Sequence, residues 1–70
     1  MPENCSLIID RLIEARRERG ITQSELARMT GLTQSVVARF ESKKNVPQLD
    51  TLLKVSNALG FTLELAQCKR

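Results

Sequence analysis

Residues 22–42 read Thr22-Gln-Ser-Glu25-Leu-Ala-Arg-Met-Thr30-Gly31-Leu-Thr33-Gln-Ser-Val-Val-Ala-Arg-Phe-Glu41-Ser42, and the fold turns on this stretch. Thr22-Gln-Ser-Glu25 has the form of a capping box. The Thr hydroxyl can accept from the Glu25 N–H while the Glu25 carboxylate reaches back to the Thr22 N–H. Ile21 and Leu26 stand where a hydrophobic staple would close over that start. Leu26, Ala27 and Met29 offer a packing surface, and Gly31 ends the helix near Thr30. Only Gly31 and Leu32 precede the next cap, Thr33. So short a link, with a Gly in it, predicts two short helices crossing sharply rather than running back antiparallel.

The second of these helices is expected over about Gln34–Ser42. At about 100° per residue, Val36, Val37 and Phe40 cluster as its buried stripe. The opposite arc carries Gln34, Ser35, Ala38, Arg39 and Ser42. Small side chains there would let the backbone approach a surface closely. Gln matches the adenine N6 and N7 pair, Arg matches guanine O6 and N7, and Ser serves as donor or acceptor. The helix N-terminus adds partial positive charge. Taken alone, Gln-Ser followed by a small-residue face is more often plain surface. The combination of two capped helices, a two-residue Gly turn and the basic Lys43-Lys44-Asn45 loop points to a major-groove reader.

Outward from this centre the helical period continues. Ile8, Ile9, Leu12 and Ile13 form one stripe of a first helix, with Asn4 or Ser6 as its cap and Gly20 as its stop. After Pro47 a fourth helix is expected from near Gln48. Leu49, Leu52, Leu53, Val55, Ser56 and Leu59 are its apolar side, and Gly60 ends it. Phe61-Thr-Leu63-Glu-Leu65 then alternates apolar and polar, which predicts a strand over about 61–67. A lone strand needs a ladder partner. The same strand of a second copy is the simplest one, with Phe61, Leu63 and Leu65 as candidate dimerisation residues. A fifth helix, or an end packed on its own subunit, is the alternative. The fold class expected is all-α: a compact four-helix domain over residues 1–70, with a helix-turn-helix at about 22–42 and a short C-terminal strand pairing across a dimer.

Composition narrows the chemistry. Seventy residues make one small domain that buries only about 60% of its unfolded surface, so a partner chain would help stabilise it. Eleven Lys+Arg against eight Asp+Glu give +3, which suits an anionic partner without requiring one. With no His, Ser-His and Cys-His nucleophile pairs and His-ligated metal sites are excluded. No enzymatic activity, metal or cofactor is expected. No apolar run approaches the ~20 residues of a membrane span. Glu3 and Asp10 also argue against a cleaved leader in the first ten residues. Cys5 and Cys68 fit no zinc or redox motif, so reduced cytosolic thiols are expected, with a bridge between subunits as the alternative.

The stretch Gln23–Glu41 resembles the helix-turn-helix of the phage repressor (Cro/CI, or Xre) family, and Pro47-Gln-Leu-Asp-Thr-Leu-Leu-Lys-Val-Ser-Asn-Ala-Leu-Gly60 matches that family's next helix. The likeness covers roughly residues 6–60. It implies a helical domain that binds double-stranded DNA as a homodimer. Carried over by position, Gln34, Ser35, Ala38 and Arg39 would read bases. Gln23 would touch a phosphate and brace the Gln34 amide, while Ser42, Lys43 and Lys44 would grip the backbone. Arg16 and Glu41 would form a partly buried structural bridge. Two features depart from the pattern. The usual Gly of the loop after the recognition helix is missing, and Asn45 is the expected left-handed residue in its place. The alternating tail is similar to the C-terminal strand of antitoxins of the HigA and HipB kind, which implies a toxin as a further partner.

Overall fold

The structure, a computed structural model, describes residues 3–67. They form four helices: α1 Glu3–Glu18, α2 Gln23–Thr30, α3 Gln34–Ser42 and α4 Leu49–Ala58. The capping box closes as its residues require. Thr22 Oγ1 accepts from the Glu25 N–H at 3.1 Å, and the Thr22 N–H donates to Glu25 Oε1 at 3.3 Å. Thr33 Oγ1 caps α3 by accepting from the Val36 N–H at 3.2 Å. Between them Gly31 takes a left-handed φ of 74°, and its N–H returns to the α2 carbonyls. A residue with a Cβ would be strained there, which is why this link can be two residues long. α4 starts at Leu49 after Gln48, whose side chain makes no capping bond. α1 already runs at Glu3, the first described residue, so Asn4 and Ser6 lie inside the helix instead of capping it.

α2 is the hub, packing against both α3 and α4, while α1 lies across α3. The core is a single cluster of Ile9 and Leu12 from α1, Leu26 and Ala27 from α2, Val37 and Phe40 from α3, and Val55 and Leu59 from the fourth helix and its end. Ile13, Ile21, Leu32, Leu52 and Phe61 pack around its edge.

Several residues expected inside lie outside. Val36 is 39% exposed, Met29 52% and Leu49 68%, and Ile8 and Leu53 are also exposed. Periodicity identifies the apolar side of a helix, but burial needs an element to cover it. Four short helices do not cover the full width of each stripe.

The segment 61–67 forms neither a fifth helix nor a strand ladder among the described residues. Phe61 is anchored on the core, with the Arg11 guanidinium carbon 5.4 Å from its ring centroid. From Thr62 onward the segment is exposed, and Leu65 is wholly so. Cys5 is a half-buried free thiol, and Cys68 lies outside the described residues.

Candidate nucleic-acid interface

The capped N-terminus of α3 is held at the surface by what lies behind it. Val37 and Phe40 are buried in the core, and this fixes the rotation of the helix. Gln34, Ser35, Ala38 and Arg39 are consequently all exposed. Val36 belongs to this open surface too, contrary to its expected burial. With Arg39 it opens onto a groove shared with Val46, Gln48 and Thr51. An apolar residue at a helix face is ambiguous in sequence, so nothing in the periodicity marked Val36 as surface.

A polar cluster locks the other end of α3. Arg16, only 9% exposed, donates from Nε to Glu41 Oε2 at 2.6 Å and from Nη2 to Glu41 Oε1 at 2.8 Å. Its remaining nitrogen donates to the Ile21 carbonyl at 2.7 Å. The forked guanidinium and carboxylate thus meet in the two-bond geometry that suits them. The bridge implied by the resemblance is present, and it ties the end of α1, the α1–α2 link and the end of α3 together.

Gln23 joins the same cluster. Its Nε2 donates to Glu41 Oε1 at 3.0 Å, so its amide is turned to Glu41 and does not brace Gln34 as expected. Glu41 already anchors Arg16 at this point, and its charged oxygen is a stronger acceptor than a neutral amide. The second N–H of the Gln23 amide is left over for an outside acceptor.

Past α3 the loop differs from the expectation. Lys43, not Asn45, adopts the left-handed conformation, with φ 60°. α3 ends at Ser42, and the left-handed turn that closes it falls on its C-cap, Lys43. Lys43 Nζ pairs with Asp10 Oδ1 of α1 at 2.5 Å. Ser42 Oγ donates back to the Arg39 carbonyl at 2.7 Å and accepts from the Lys44 N–H at 3.4 Å. Lys44 is exposed. Asp10 is the residue that sequence reasoning missed. It lies off the apolar stripe of α1 and 33 positions from its partner, and no local signal links the two.

A capped helix, a two-residue glycine turn and a second capped helix with its polar arc exposed constitute a helix-turn-helix. A family model described as Helix-turn-helix matches residues 12–65, and the chain belongs to that family. It is 41% identical over 58 residues to an uncharacterized HTH-type transcriptional regulator of Haemophilus influenzae, covering 83% of this chain and 59% of that protein. It is 33% identical over 54 residues to the antitoxin HipB of Escherichia coli K12, covering 77% of this chain and 61% of HipB. The chain therefore spans about three fifths of the length of these two relatives. Among solved structures it is similar to a toxin–antitoxin module from Streptococcus pneumoniae. The sequence identity there is 49%, the TM-score is 0.78, and the match covers 90% of this chain and 69% of the other. Among the described residues, no helix is long and apolar enough to cross a membrane.

Proposed function

We propose that the chain is a sequence-specific double-stranded DNA-binding transcriptional regulator, a cytoplasmic repressor acting as a homodimer on a near-palindromic operator. The observation that carries this reading is the exposed arc of α3, where Gln34, Ser35, Ala38 and Arg39 stand clear on a helix whose rotation is fixed from behind. In a major groove Gln34 would pair with adenine and Arg39 with guanine, and Val36 would lie against a thymine methyl. Gln23, Ser42 and Lys44, with Lys43 only when it is released from Asp10, are assigned to phosphates, which position the helix without reading sequence. Two copies would place their recognition helices about 34 Å apart on a two-fold axis.

The deciding experiment is binding to the duplex upstream of the chain's own gene beside a scrambled duplex, at two salt concentrations. Preference for the upstream duplex that persists at the higher salt is the expected result. Arg39→Ala and Gln34→Ala should each cost about 1–3 kcal/mol on that duplex and little on the scrambled one. Equal weakening on both would remove these residues from base reading.

A second reading is favoured by the similarity to a toxin–antitoxin module. In it the chain is an antitoxin that neutralises a co-encoded toxin and represses their shared operon. Co-purification of a small protein encoded beside this chain would support it. The two roles are compatible, because one surface can bind DNA while another binds protein.

A further inference from the structure

Two lysines follow the recognition helix, and the structure treats them differently. Lys44 is exposed and has no ion-pair partner among the described residues. Lys43 is half-buried, and its ammonium ends on Asp10 of α1. The groove around that ammonium is lined by Asp10, Glu14, Glu18 and Glu41, with Arg17 as the other cation. Glu41 is already satisfied by Arg16 and Gln23. Asp10, Glu14 and Glu18 recur every four residues on one face of α1 and leave the groove with negative charge to spare. The backbone supports the same division, because Lys43 is the non-glycine residue that turns left-handed at the end of α3.

We propose that Asp10 is a positioning residue that holds Lys43 against α1 and withholds that cation from the DNA backbone, so that Lys44 is the lysine that grips phosphate. The proposal rests on the DNA-binding reading and sharpens it. A carboxylate and a phosphate compete for one ammonium, and in the free chain the carboxylate has it. The side chains of the pair are 34% and 50% exposed, so the hold is a bias and not a lock. An exposed pair of this kind is worth a factor of about two to five in an equilibrium.

The test is a double-mutant cycle of Asp10→Asn and Lys43→Gln, with Lys44→Gln beside it. Binding to the upstream and scrambled duplexes would be followed by fluorescence anisotropy over a salt series. Circular dichroism melting would confirm that each variant is folded. Asp10→Asn should tighten binding to both duplexes by about two- to five-fold at low salt. It should also steepen the salt dependence by about one phosphate contact per subunit. Lys43→Gln alone should change little, Lys44→Gln should weaken both duplexes, and the double variant should return to wild-type binding.

Two results would overturn the proposal while leaving the DNA reading intact. One is a gain from Asp10→Asn that persists in the Lys43→Gln background, which would mean simple removal of negative charge. The other is a loss from Lys43→Gln as large as that from Lys44→Gln. Wild-type protein that binds neither duplex at low salt would overturn the DNA reading itself, and the proposal with it.

Discussion

At the scale of single residues, two positions hold more than their share of the structure. Glu41 accepts from Arg16 twice and from Gln23 once, in a site where the Arg16 and Glu41 side chains are only 10% and 8% exposed. Removing the carboxylate would strand a buried guanidinium. Glu41→Ala should therefore cost about 3 kcal/mol, read as a fall in the urea midpoint. A loss below about 1 kcal/mol would mean that the cluster is solvated and unimportant. Lys43 presents the opposite case. A Cβ at φ 60° is strained, and its exposed ion pair returns only part of that cost. Lys43→Gly should raise stability by about 0.5 kcal/mol, a gain of about 2–4 °C in melting temperature. The strain at Lys43 could not be read from sequence. Composition favours Asn and Gly for such turns, but the position of the helix end decides which residue makes it.

Among the elements, the caps carry most of the local specification. Thr33 satisfies the Val36 N–H at the entrance to α3, and the residues that follow are those assigned to DNA. Thr33→Ala should cost about 1 kcal/mol in global stability. Amide exchange in the first turn of α3 should rise by more than it does in α1, and equal rises in both helices would rule out a local role for this cap. The elements were also where sequence was most readable. The ends of α2 and α3, the capping box and the two-residue turn were all legible, because each depends on contacts within four residues. The rotation of α3 was legible through Val37 and Phe40. Val36, Leu49 and Leu53 were misplaced because their burial depends on whether a distant helix arrives to cover them. The Asp10–Lys43 and Gln23–Glu41 contacts were hidden for the same reason, spanning 33 and 18 positions.

For the whole molecule, the proposed dimer turns on the tail. Beyond Phe61 it leaves the core without forming a helix, and it carries Leu63 and Leu65 into solvent. That arrangement supports the proposed cross-dimer pairing, in which both tails would bury these side chains and satisfy their backbone groups together. Sedimentation of Leu63→Asp should accordingly show a monomer where the parent chain is a dimer. An unchanged dimer would move the interface elsewhere on the surface.

The bridge from Arg16 to Glu41 bears on more than stability. With one end of the recognition helix capped and the other pinned to two earlier parts of the chain, α3 has little freedom to tilt or slide. On the proposed DNA role, such a protein arrives as a stiff template. Any misfit between template and duplex must then be absorbed by the duplex, whose resistance to bending and twisting varies with its base steps. Selectivity would in this way extend to base pairs between the two half-sites that no side chain reaches.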